Sequence, residues 1–292
     1  MVRRAGQVAA MVAAVAIVLS ACSWRLEEDP EPVRTPTPIT VLRDHVAAAE
    51  SALATAAGTS TDPLAAVEAA AVPIRLAALG GVSPTSSPRP DADFAMALSV
   101  ATDTARDCME AAGDDPLGDL CASILLSHLA MSAAAGTVTP EMTDYSSAVT
   151  GPGATTEVDA GTLARLALAH DQLRATHEVV AARSSDEARE DALALTASEG
   201  ARVTALLAID GVADLREPQY DVGTDSAAVL ESQRAIADSY AALLVAATPV
   251  DREWLLNSAL IAFNGAVLSG LTAEQIPALP GAVQPTPSPT AS

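Results

Sequence analysis

Apolar positions in the body of this chain recur at helical spacing, and Gly, Pro and Asp interrupt them about once per helix length. No stretch alternates polar and apolar residues as a half-buried strand does. The pattern predicts eight helices. The first spans Thr40 to Ala57, and the second opens at Asp62-Pro63 and stops at Gly80-Gly81. The third runs from Asp91 to Ala112, and the fourth from Asp115-Pro116 to Gly136. Asp followed by Pro is a start signal, since Asp caps the free N–H groups and Pro tolerates the first helical position. The fifth helix spans Asp159 to Arg183, and the sixth opens on Ser184-Ser185-Asp186-Glu187, which reads as a capping box. The seventh runs from Thr224 to Ala247, and the eighth from Thr248-Pro249 to Gly270.

The expected fold is all-α, with two tandem four-helix-bundle halves at 40–136 and 159–271 and a linker at 137–158. The halves read as a duplication. Ile74-Arg75-Leu76-Ala77-Ala78-Leu79-Gly80 parallels Ala201-Arg202-Val203-Thr204-Ala205-Leu206, allowing for one inserted turn. The larger core side chains of the second half are expected at Leu163, Leu166, Leu173, Leu206, Leu243, Leu255, Ile261 and Phe263, with Trp254 as the largest anchor.

The ends differ from the body. Met1-Val2-Arg3-Arg4 is basic, Val8 to Leu19 is apolar, and Leu19-Ser20-Ala21-Cys22 follows. A basic start, a short apolar run and small residues before a cut describe a secretory signal over 1–21. Cysteine at the first mature position resembles the lipobox of bacterial lipoproteins, whose thiol takes a diacylglyceryl group. An uncleaved anchor is the alternative, but the run is about a dozen residues and a spanning helix needs about 20. An ordinary secretory signal with an incidental cysteine is the other. Two acyl chains hold a protein firmly where one does not. Residues 22–39, with Pro30-Glu31-Pro32 and Thr35-Pro36-Thr37-Pro38, read as an extended, disordered spacer. Residues 272–292 read as a disordered tail.

Charge narrows the partners. The 292-residue chain has a formal net charge of −21, and removal of Arg3 and Arg4 makes the mature chain more acidic still. Nucleic acid is excluded as a partner, because phosphates would be repelled and a 2% aromatic content offers no stacking platform. With Cys22 assigned to lipid, Cys108 and Cys121 remain as an even pair flanking Gly113-Asp114-Asp115-Pro116. Antiparallel helices would bring them together as a disulfide; two buried free thiols are the alternative.

Asp159 to Gly270 resembles the ferritin-like domain of uncharacterised actinobacterial lipoproteins. The resemblance rests on Ala169-His170-Asp171 and His177-Glu178-Val179-Val180-Ala181-Ala182-Arg183, the Pro218–Tyr220 loop, Glu231, Tyr240-Ala241-Ala242-Leu243-Leu244 and Arg252. A chain without lysine and rich in alanine agrees with a GC-rich actinobacterial genome. The resemblance implies a four-helix bundle in the envelope and brings no activity.

Di-iron bundles place Glu-x-x-His on two helices. The residues three before His45, His128, His170 and His177 are Leu42, Leu125, Ala167 and Arg174, none a carboxylate. No metal or other cofactor is therefore expected. The alternative is a degenerate site using His170, His177, Asp171 and Glu178 with Glu199, Glu231 and Glu253. No Gly-x-Ser-x-Gly elbow or phosphate-binding loop is present, so no catalytic residue is assigned. The expectation is a non-enzymatic, lipid-anchored interaction or structural module on the outer face of the cell membrane, with an unidentified envelope protein as partner. The rival is a ferritin-like metal-binding or redox protein.

Overall fold

Asp side chains set most of the helix starts. Asp62 accepts from the Leu64 N–H at 2.8 Å, Asp115 from Leu117 at 2.9 Å, Asp159 from Thr162 at 2.9 Å and Asp225 from Ala228 at 2.8 Å. Asp93 does the same for Met96, so the third helix starts two residues after the expected Asp91. The computed structural model describes residues 35–82, 93–136, 151–223 and 225–282. The expected signal peptide and residues 22–34 of the spacer, Cys22 among them, lie outside the described residues, whereas Pro38 and Ile39 of the expected spacer open the first helix.

Among the described residues there are eight α-helices, one short 3-10 helix and no strand. The helices are α1 (Pro38–Ala57), α2 (Pro63–Ala78), α3 (Phe94–Ala111), α4 (Pro116–Ala134), α5 (Ala160–Arg183), α6 (Asp186–Leu207), α7 (Ser226–Leu244) and α8 (Pro249–Leu268). All eight belong to one compact unit that begins at Pro38. The all-α expectation holds. In the first half, α1 packs on α2 and α3, and α4 packs on the same two, so four helices close a ring. In the second half α5 packs on α6 and α7, and α7 on α8, but α6 and α8 make no comparable pair. That ring is open on one side. Helix α4 also packs against α7 and α8, and buried side chains from Val46 to Leu279 form one continuous core. Helix α4 is long and apolar enough to cross a membrane by length and composition, yet most of it is buried in protein.

A cysteine pair closes one corner of the first half, and an arginine of the second half ties the two halves together there. Cys108 on α3 and Cys121 on α4 lie at disulfide distance, with Sγ–Sγ 2.22 Å. Arg252 on α8 reaches this corner: its Nη2 donates to Asp119 Oδ1 at 2.7 Å, and its Nη1 to the Gly113 carbonyl. Gly118 makes room for that guanidinium, because a Cβ there would sit 2.9 Å from Arg252 Nη1.

Three expectations need correction. The expected tail at 272–292 includes a packed strap. Leu271, Ile276, Ala278 and Leu279 are buried, and the Pro280 carbonyl accepts from the Ser123 hydroxyl at 2.8 Å. Proline here suits an extended segment whose carbonyls are satisfied by α4 side chains. At Gly281, φ is +78° and a Cβ would collide with the Ala241 carbonyl of α7, so only glycine fits that crossing. Residues 283–292 lie outside the described residues. The expected capping box of α6 does not form: the N-cap is Ser185 without a side-chain hydrogen bond, which puts Ala188 and not Glu187 at the third position. In the expected core, Leu243 and Ile261 are only half-buried, whereas Leu163, Leu166, Leu173, Leu206, Leu255, Phe263 and Trp254 are buried. Within the expected linker, residues 137–150 lie outside the described residues. Beyond them Pro152 is buried and the Glu157 N–H donates to Asp251 Oδ2 at 2.7 Å.

Candidate functional site

Each half carries a buried polar cluster at mid-bundle. In the first half it consists of Glu50 on α1, Glu68 and Arg75 on α2, and His128 on α4, none exposed at all. Glu68 and Arg75 are seven residues apart and so share one face of α2. Arg75 Nη1 donates to Glu68 Oε2 at 2.6 Å and to Glu50 Oε2 at 3.4 Å. His128 places Nε2 at 2.7 Å from Glu50 Oε1 and Nδ1 at 3.0 Å from Glu68 Oε1. Nδ1 also lies 3.1 Å from Arg75 Nη1, which opposes a charge on the ring. Both ring nitrogens nevertheless face carboxylate oxygens, which accept only, and the two carboxylates outweigh the one guanidinium in favour of an imidazolium. Two carboxylates, one guanidinium and one imidazolium make the quartet neutral. The remaining guanidinium donors are also used: Arg75 Nη2 donates to the Ser127 hydroxyl at 2.7 Å, and Nε to the Ala278 carbonyl of the strap at 3.2 Å.

Electrostatics agree with that assignment. Burial raises the Glu68 carboxyl, but the His128 and Arg75 charges outweigh it and bring it down to about 2. The same balance holds Glu50 below its ordinary value. Burial and the Arg75 charge push His128 down, yet Glu68 and Glu50 carry it above its ordinary 6.5.

The second cluster joins α5, α6 and α7. His170 Nδ1 lies 2.5 Å from Glu199 Oε2, and its Nε2 lies 2.8 Å from the Tyr240 hydroxyl. Arg202 donates from Nη1 to the other Glu199 oxygen. Burial raises Glu199, and the hydrogen bond and charge of His170, with Arg202, hold it below its ordinary value. Burial lifts the Tyr240 hydroxyl well above the usual tyrosine range. Tyr240 also meets Trp254 edge to face at 6.1 Å, and Trp254 Nε1 donates to Asp251 Oδ1 at 2.6 Å. His177, two turns from His170, is buried with no partner at Nε2, and burial holds it below its ordinary value.

This second cluster opens on a pocket of about 190 Å³ on the side where α6 and α8 stand apart. His170, Glu199, Arg202 and Ser258 give it polar surface, and Ile236 and Ile261 give it apolar wall.

The residues of the alternative metal site do not converge. Glu199 meets His170, but Glu231 and Glu253 are exposed. Glu178 is exposed and pairs with Arg174, while Asp171 accepts from Arg174 Nε and from the Tyr220 hydroxyl, each at 2.8 Å. The first-half donors do not fit a metal either: the Arg75 guanidinium fills the space between Glu50, Glu68 and His128, and both imidazole nitrogens are spent on carboxylates. Among the described residues no group of three or more His, Cys, Asp and Glu side chains could hold a metal ion.

Sequence reading missed the first quartet. Its signal was Glu50 and Glu68 as lone carboxylates inside Ala-rich runs, on faces that also carry Val46, Leu53, Leu64 and Val72. Comparison with known proteins gave no match to a family model, to a curated protein or to a solved structure.

Proposed function

We propose that this chain is an envelope lipoprotein, tethered through a diacylglyceryl group on Cys22 to the outer face of the cell membrane. Its helical body serves there as a non-enzymatic interaction or structural module for an envelope protein. The observation that carries the reading is Leu19-Ser20-Ala21-Cys22 behind a basic start and a short apolar run. The pairing of Cys108 with Cys121 supports it, since disulfides persist outside the reducing cytoplasm. The first-half quartet supports the structural part, because all four charges are spent on one another.

The body is read further as two ferritin-like four-helix bundles related by duplication. Support comes from Arg75 and Arg202, aligned in sequence, each of which pairs with a buried glutamate on its own helix. In this reading Arg75 stands where a metal-binding bundle would hold its cation.

Replacing Cys22 with Ser decides the anchoring. The variant is expected in the soluble fraction and without label from a fatty-acid analogue; unchanged labelling rejects the anchor. Pull-down from intact envelopes with the lipidated protein then identifies the partner.

A further inference from the structure

The second bundle is open where the first is closed, and the opening has a definite chemistry. Its pocket lies between α6 and α8, with His170 of α5 and Gln233 and Ile236 of α7 as its floor. One end is polar: Ser258, hydrogen-bonded to the Tyr240 hydroxyl, lies with His170, Glu199 and Arg202. The rest is mainly hydrocarbon, including Leu173, Ile261 and Ala262. Leu195 and Leu268 also line it, and they are 37% and 85% exposed. Large aliphatic side chains left in water on both flanking helices are what an apolar occupant would cover.

Size and charge narrow the occupant. A cavity of about 150 Å³ takes benzene, so about 190 Å³ suits a single ring or a short chain with one further group. The carboxylate at the polar end is matched by Arg202, and the chain as a whole carries −21. An anion gains nothing there and is repelled at long range. A hydroxyl group can both donate and accept, which suits a mixed set in which the Glu199 carboxylate keeps spare lone pairs and the Arg202 guanidinium keeps further N–H donors.

We propose that this pocket binds a small neutral amphiphile, one ring or a short chain bearing a hydroxyl group. The hydroxyl sits at the His170–Glu199 end, and the hydrocarbon lies between α6 and α8. The proposal stands on the geometry of α5–α8 and is independent of lipidation at Cys22.

The test uses the mature chain carrying Cys22→Ser, so that no acyl chain competes, with isoleucine methyl groups labelled for NMR. Phenol, toluene and benzoate are titrated as probes of equal ring size. Phenol is expected to shift the Ile236 and Ile261 methyls and to bind roughly three- to tenfold more tightly than toluene, the worth of one net hydrogen bond. Benzoate is expected not to bind, and Ala262→Phe, which fills the pocket, to abolish the phenol shifts. Toluene binding as tightly as phenol, benzoate binding as well as phenol, shifts confined to other isoleucines, or no shifts overturn the proposal. Should Ala262→Phe fail to fold, the methyl shifts and the ranking of the three probes decide alone.

Discussion

The two halves solve one problem in opposite ways. Each sets an arginine beside a buried histidine and glutamate at mid-bundle. In the first half a second glutamate balances the second positive charge, the four helices close around the quartet, and no solvent reaches it. In the second half Tyr240 takes the place of a carboxylate partner, Arg202 stays partly exposed, and the ring of helices gapes between α6 and α8. Completing the charge balance allows closure, while a cluster with one neutral member can sit at the edge of a pocket. Buried ion pairs do not by themselves stabilise a fold, because desolvation offsets attraction. What the quartet does impose is a penalty on every arrangement that separates its members.

Removal of the central cation is the strongest way to break the contrast. Arg75→Ala leaves two carboxylates against one imidazolium with no solvent, and should cost about 3–5 kcal/mol in denaturant unfolding. Arg202→Ala should cost far less, since its side chain already touches water. Equal costs would erase the distinction between the halves. The cysteine pair of the closed half comes next. Cys108→Ser with Cys121→Ser should lower stability by about 3 kcal/mol, the worth of a short closed loop.

Acidity should also act on the closed half. The His128 contribution is complete below pH 6.5 and is lost as pH rises through its higher folded value. The Glu50 and Glu68 contributions are complete above pH 4.5 and are lost as pH falls toward about 2, where Glu68 titrates. The quartet therefore supports the fold most between pH 4.5 and 6.5. Melting temperature followed against pH should peak there, and a Glu50→Gln, Glu68→Gln, His128→Gln, Arg75→Met variant should flatten the profile. The smallest effect belongs to the open half: Tyr240→Phe removes one hydroxyl from His170 and should cost about 1 kcal/mol by the same unfolding assay.

Legibility followed the range of the interactions. Asp62 and Asp115 were readable as caps because a cap acts within three residues of its own position. The cysteine pair was readable because its loop is short. Trp254 was readable as an anchor because few residues match its apolar area. Glu50, Glu68 and His128 were not, since their partners stand on other helices 60 and 78 residues away. Ile261 follows an apolar pattern like any core residue, and only the missing contact between α6 and α8 leaves it on a pocket wall. The strap was hidden by its prolines, which in isolation signal chain that does not pack.

That strap also bears on the order of events when the chain is made. Arg75 emerges early, yet its Nε partner, the Ala278 carbonyl, is made 203 residues later. Ser123 and Ser127 likewise wait for Pro280 and Pro277. The first bundle to be synthesised is thus the last to be finished. A chain halted before residue 277 would hold its second set of helices complete while Arg75 Nε and the Ser127 hydroxyl of the first still lacked these partners.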